Sequence, residues 1–328
     1  MEHIFSRRSM IAALAAGFAA AHLPTWAQNS STLWKPKLPV QITVPFPAGG
    51  GVDLVGRALA QELTDIWGVP VVVDNVGGAA GAVGIAKVNN AKADGLHLAI
   101  SSAGNVTIGP LLRGAPYEPM RMTHVARLTT SPVLLLARPD LPAKDLAEFV
   151  ETARKQPETV RFGSGGVGST PHLAQELMNI RMGVKMLHVP YRGTAPMMAD
   201  LIAGHLDVAF SDVSGWSFVT SGKARLLAVS TASAWENSPE TATIDSVLPP
   251  YAIENWYGLV APPNLPADVQ AGISAAVQQA LGRESIQTIY ANAGFSPSFM
   301  PRETFEPFLE KEIELWREVI TKADIRVE

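Results

Sequence analysis

Cysteine is absent from all 328 residues. That absence excludes disulfides, cysteine–zinc sites, iron–sulfur clusters, a thiol nucleophile and a lipidated N-terminal cysteine. A basic surplus is also missing. The chain carries 26 Lys+Arg against 30 Asp+Glu, net −4, whereas nucleic-acid binders show a basic excess or stripe. The seven histidines form no H-x-x-x-H or H-E-x-x-H spacing, so a zinc protease site has no support. No serine sits in G-x-S-x-G and no G-x-x-x-x-G-K-[ST] occurs, which removes the common hydrolase and P-loop signatures. After the N-terminal leader no segment reaches 18 apolar residues, short of the ~20 a membrane helix needs.

What is present is a globular composition, with 47% hydrophobic and 17% charged residues. At roughly 100–200 residues per domain the length implies about two domains. Residues 1–27 read as a cleaved signal peptide. Arg7 and Arg8 form a positive n-region, Met10 to Ala21 is uncharged, and Thr25-Trp26-Ala27 offers a cleavage site before Gln28. The apolar run of about a dozen residues is too short to span a bilayer, so export with cleavage is expected, placing the mature protein in the periplasm. The Arg pair fits either the general secretory or the twin-arginine route. Without residues 1–27 the net charge is −5.

Along the mature chain, short apolar strands alternate with glycine-bearing loops and helices, first at Val40 to Val44, Val71 to Val73 and Leu96 to Ile100. Leu54, Val55, Ala58, Leu59 and Leu63 fall at helical spacing between the first two. This βαβαβ order predicts a parallel sheet with helices on both faces. The pattern restarts with a long apolar strand over 131–138, a helix over 143–156, a strand at 160–162, a helix at 171–182 and a strand at 184–189. A helix at 196–203 and strands at 207–210 and 225–230 follow. Three closing helices, near 267–281, 283–293 and 302–322, have no sheet of their own. The economical arrangement returns the chain to its first domain: domain one is 33–131 plus 256–328, and domain two is 132–255. Strands near 131–138 and 255–261 then form the hinge. A single large α/β domain is the competing arrangement.

Gly163-Ser164-Gly165-Gly166-Val167-Gly168 satisfies G-x-G-x-x-G after a strand and before a helix. Dinucleotide binding is nevertheless disfavoured. The third glycine belongs inside the helix, yet Ser169-Thr170-Pro171 follows, with Pro171 at a helix start and Thr170 as its expected cap. The next strand ends at His188-Val189-Pro190 with no carboxylate for a ribose. A glycine turn running into a helix does leave unpaired N–H groups that suit an anion. Similar loops recur at 47–51, 75–78, 101–105 and 191–194, where ligands bind in open α/β sheets. Asp53 at a helix start reads as a cap rather than a catalytic acid. Asp212 either accepts a hydrogen bond from a ligand or caps the next helix, and His172 faces either the cleft or its own helix. Arg57 and Arg192 are the cations nearest these loops.

Pro45-Phe46-Pro47-Ala48-Gly49-Gly50-Gly51-Val52-Asp53 followed by Arg57 resembles the first signature of the Bug proteins, the periplasmic receptors of tripartite tricarboxylate transporters. Further matches are Val71 to Asn75 with its glycine loop, Ala93 to Leu98, Pro116 to Pro119, Phe162 to Ser169 with Pro171 to Leu173, His188 to Pro196, and Trp256 to Leu259. The resemblance implies an α/β, two-domain periplasmic binding protein of Venus-flytrap, type II-like form with a two-strand hinge. It implies a receptor for a small carboxylate, not an enzyme, with no cofactor and no metal. Such a receptor acts as a monomer with the transporter's membrane subunits. The alternatives are a sensor subunit serving a periplasmic signalling partner and an NAD-linked oxidoreductase. The positions it assigns to the ligand are Phe46, Ala48, Gly49, Gly50 and Asp53 in the first loop and Ser102 after the third strand. In the second domain they are Gly166, Ser169, Thr170, Tyr191, Thr194 and Asp212.

Overall fold

The computed structural model describes residues 33–327; the expected signal peptide lies outside them. Two mixed sheets organise the chain. The first has the order β11-β4-β10-β3-β1-β2, built from β1 (Val40–Val44), β2 (Val71–Asn75), β3 (His97–Ser102), β4 (Thr123–Pro132), β10 (Glu254–Ala261) and β11 (Ser296–Pro301). The second has the order β7-β6-β8-β5-β9, from β5 (Leu134–Ala137), β6 (Arg161–Ser164), β7 (Leu187–Pro190), β8 (Val208–Ser211) and β9 (Arg225–Val229).

The expected all-parallel pairing holds for only part of each sheet. β1 runs parallel to β2 and β3, and β6 runs parallel to β7 and β8. β10 is antiparallel to both β3 and β4, β11 is antiparallel to β4, and β5 is antiparallel to β8 and β9. The cause is connectivity. β4 leaves the first sheet for the second and β10 comes back, so the outgoing and returning strands must run in opposite directions. Residues 123–130 of β4 and the edge strand β11 have no expected counterpart, and β7 begins at Leu187 rather than 184.

The single strand expected over 131–138 is two strands parted at Val133. There the ladder changes partner: Val133 N–H donates to Ser230 Oγ at 2.8 Å, and Ser230 N–H donates to the Val133 carbonyl at 3.0 Å. The Ser230 hydroxyl in turn donates to the Ile253 carbonyl at 2.6 Å, while Ile253 N–H returns a 2.8 Å bond to the Ser230 carbonyl. One buried serine thus ties together the chain segments that pass between the sheets.

Hydrophobic spacing sets the flanking layers. The helix Gly51–Trp67 buries Val55, Leu59 and Leu63 completely against β1 and β3. The helices Ala267–Leu281 and Glu284–Asn292 pack on its other side through Ile273, Val277, Ile286 and Tyr290. In the second core Phe149, Phe162, Leu173, Met178 and Phe210 meet Phe305, Leu309 and Trp316 of the last helix, Arg302–Lys322. Fully burying one such side chain stabilises by about 1.5–3 kcal/mol. Glu312 enters this apolar region on the last helix. It accepts from Trp256 Nε1 at 2.9 Å and from the Thr107 hydroxyl at 2.8 Å, and burial raises its pKa to about 7.

Candidate ligand-binding site

Parallel strands end at one rim of each sheet, and the loops that follow β1, β3, β6 and β8 line a cleft of about 580 Å³. On one side stand Phe46 to Ala48, Gly50 to Val52, Ala80, Ser102, Gly104 and Arg113. On the other stand the 165–171 turn and Asp212, with Asn255 and Tyr257 of β10 also present.

The first wall is the N-terminus of the helix Gly51–Trp67. Gly50 is its cap and supplies no side chain, so the amides of Gly50, Gly51 and Val52 have no acceptor among the described residues. The loop before it is held from behind. Asp53 Oδ2 accepts the Gly49 N–H at 2.9 Å and Arg57 Nε at 2.9 Å, while Oδ1 accepts Asn75 Nδ2 at 2.9 Å. Asn75 Nδ2 also donates to the Phe46 carbonyl at 3.1 Å. Burial pushes the Asp53 carboxyl up, but Arg57, the Gly49 amide and Asn75 together hold it below its ordinary value.

The second wall is the N-terminus of the helix Thr170–Met182. Its cap is Ser169, not the expected Thr170: Ser169 Oγ accepts the His172 N–H at 3.3 Å, because its extended backbone aims the hydroxyl at the third amide. Thr170 is the first helical residue. Gly168 N–H is taken by His172 Nδ1 at 3.1 Å, and Pro171 has no N–H. The amides of Val167 and Thr170 remain without an acceptor among the described residues. Gly168 is held at φ +78°, and a Cβ there would lie 2.5 Å from Leu112 Cδ1. The left-handed φ favours glycine here, and a side chain would also displace Leu112 of the short helix Gly109–Arg113. Across the same contact Arg113 Nη2 donates to the Val167 carbonyl at 3.3 Å.

His172 faces its own helix and the sheet rather than the cleft. Its ring stacks on His188 with centroids 4.0 Å apart, and His188 stacks on Phe162. Burial lowers His172 to about 3, with the neighbouring His188 adding to the effect, and lowers His188 to about 4. Both rings are neutral at pH 7.

Of the positions expected to touch a ligand, Phe46, Ala48, Gly50, Ser102, Gly166, Ser169, Thr170 and Asp212 line the cleft. Gly49 borders the adjoining cavity. The remaining three positions line neither. Asp53 is 5% exposed, with its carboxylate occupied as above. Tyr191 turns its hydroxyl to Asp200 at 2.6 Å. Thr194 sits behind Asp212, its Oγ1 3.5 Å from Asp212 Oδ1. Arg57 is tied to Asp53 and Asn75, and Arg192 is exposed. Sequence reasoning missed Arg113, Asn255 and Tyr257. For the last two a signal existed: they alternate on β10 with the fully buried Trp256, so period two puts both on the opposite face. Arg113 carries no such periodic mark.

Two helix N-termini at one cleft, with a guanidinium at its edge, are an arrangement whose partial positive charge suits a small anion. Comparison with known proteins agrees with a binding role. Residues 55–325 match the model of the tripartite tricarboxylate transporter family receptor, TctC. The chain belongs to this family. BugT of Bordetella pertussis is 27% identical over 89% of the chain and 91% of its own length. Rpa4515 of R. palustris, solved with adipate, is 29% identical, with 89% of this chain and 99% of that one covered and a TM-score of 0.77. MatC (Rpa3494) from Rhodopseudomonas palustris, solved with bound malate, is 28% identical over 87% and 99% of the two chains, with a TM-score of 0.72. This chain is therefore a solute-binding receptor of the TctC type, a family of periplasmic receptors, and not an enzyme.

Proposed function

We propose that this receptor captures a small carboxylate between two lobes, 33–131 plus 256–328 and 132–255, and presents the closed form to transporter membrane subunits. The observation that carries the reading is the set of open amides at Gly50 to Val52 and at Val167 and Thr170, directed at one cleft from two helix starts. Such amides carry fixed partial positive charge where a carboxylate oxygen would sit. The adipate and malate held by two structural relatives are carboxylates of fitting size. The chain crosses between the two sheets at Val133, Ser230 and Ile253, which is where a hinge would lie. Export through cleavage before Gln28 would bring the receptor to the periplasm.

The test is a panel of mono-, di- and tricarboxylates followed by melting temperature on the purified mature chain. Ligands that bind only the folded state raise the melting temperature with concentration. A panel that moves it nowhere, including at millimolar ligand, overturns the carboxylate reading. Co-purification with the transporter's membrane subunits, strengthened by a panel hit, tests the partnership.

A further inference from the structure

The space around the cleft gives its charge a direction. At one side the cleft shares Ala80, Gly104 and Arg113 with a neighbouring cavity of about 450 Å³. At the other it shares Gly50, Gly51, Asp212, Asn255 and Tyr257 with a second cavity of about 210 Å³. The two flanking cavities have no lining residue in common. Arg113 and Asp212 therefore stand where the cleft opens into two different cavities, one cationic and one anionic.

The Asp212 carboxylate is only half engaged. Its Oδ1 accepts the Ser214 N–H at 3.0 Å, the Ser214 hydroxyl, and the Thr194 hydroxyl at 3.5 Å. Among the described residues nothing donates to Oδ2. A ligand with carboxylates at both ends would set one of them against this unneutralised oxygen, and like charges repel. A donor at that end would instead complete the acceptor and be flanked by the polar side chains of Asn255 and Tyr257.

We infer that the receptor selects dipolar solutes, with a carboxylate toward Arg113 and the helix N-termini and a hydrogen-bond donor, an ammonium foremost, toward Asp212. The inference rests on the carboxylate reading above and assigns to Asp212 the choice between an amino acid and a diacid. The site thereby differs from one built for a symmetrical dianion.

Matched pairs test it: adipate against 5-aminopentanoate and succinate against 3-aminopropanoate, titrated calorimetrically into the purified protein and its Asp212→Asn variant. Asn remains a good helix cap and keeps an acceptor for the Ser214 N–H, so the fold is expected to persist. In the wild type the amino member should bind about tenfold or more tightly than its diacid, the scale of one charge-assisted hydrogen bond. In Asp212→Asn the preference should vanish or reverse, with the diacid gaining affinity. Arg113→Ala should weaken both members of a pair alike and leave their ratio unchanged. A wild type that binds the diacid as tightly as the amino member, or a preference that survives Asp212→Asn, overturns the inference while leaving the carboxylate reading intact. If neither member of either pair binds and the wider carboxylate panel is also silent, the carboxylate reading itself fails and this inference with it.

Discussion

The Asn75 side-chain amide donates to the Asp53 carboxylate at 2.9 Å and to the Phe46 carbonyl at 3.1 Å. One residue at the end of β2 thereby fixes both the start of the Gly51–Trp67 helix and the loop that borders the cleft. Asp53 completes the clamp by holding Gly49 and Arg57. Precise placement of the open amides depends on this pair, although neither side chain lines the cleft.

Asp53→Ala removes the acceptor for three donors. It is expected to lower stability by about 1–3 kcal/mol and to weaken ligand binding by loosening the 46–50 loop. Urea unfolding and calorimetric titration measure the two effects. An unchanged affinity would show that the loop keeps its shape without the clamp.

Ser169→Ala and Thr170→Ala separate capping from binding. Ser169→Ala should cost about 1 kcal/mol of stability as a lost cap. Thr170→Ala should change stability little and weaken carboxylate binding about tenfold, as expected for one lost charge-assisted hydrogen bond. Equal affinity in Thr170→Ala and wild type would leave the ligand to backbone amides alone.

The stacked imidazoles predict an acid limb of stability. His172 and His188 titrate at about 3 and 4 when folded, below the ordinary histidine value of about 6.5. The unfolded chain therefore binds protons first, and stability is full above pH 6.5 and falls as the pH drops toward 3. Glu312, raised to about 7, acts in the opposite sense and favours folding as pH falls from 7 toward its ordinary carboxylate value. Unfolding curves of wild type and His172→Asn across pH 7 to 3 isolate the histidine contribution. The wild type should lose stability relative to the variant below pH 6.5, and parallel curves would count against the pair. Glu312→Gln removes that opposing contribution and should steepen the fall of stability between pH 6.5 and 5, while keeping a side-chain oxygen to accept from Trp256 and Thr107.

Hinge closure predicts a smaller radius of gyration at saturating ligand, measured by small-angle scattering. Ser230→Ala removes the hydroxyl that Val133 and Ile253 share, leaving the buried Val133 N–H without its acceptor, and should destabilise by about 1–3 kcal/mol. A radius unchanged by a ligand that demonstrably binds would mean a rigid cleft.

N-terminal sequencing of the exported protein should begin at or near Gln28. Recovery of Met1 on a membrane-bound product would contradict cleavage.

Much of the architecture was legible because it depends on local pattern. The alternation and helical spacing at Val40 to Leu63 foretold β1 and its helix, and the glycine loops at 47–51, 101–105 and 163–169 reach the cleft, whereas those at 75–78 and 191–194 do not. Composition alone removed thiol and cysteine-metal chemistry. The tertiary structure decided matters that depend on residues distant in sequence. Strand direction in each sheet follows from where β4 leaves and β10 returns, which no local period encodes. Ser169 rather than Thr170 caps its helix because of backbone direction. Asp53 is sequestered because Asn75, 22 residues away, reaches it. Arg113 and Asp212 come to line one cleft only when the loops of two sheets meet, because the field at a binding site sums over charges that the chain brings together in space.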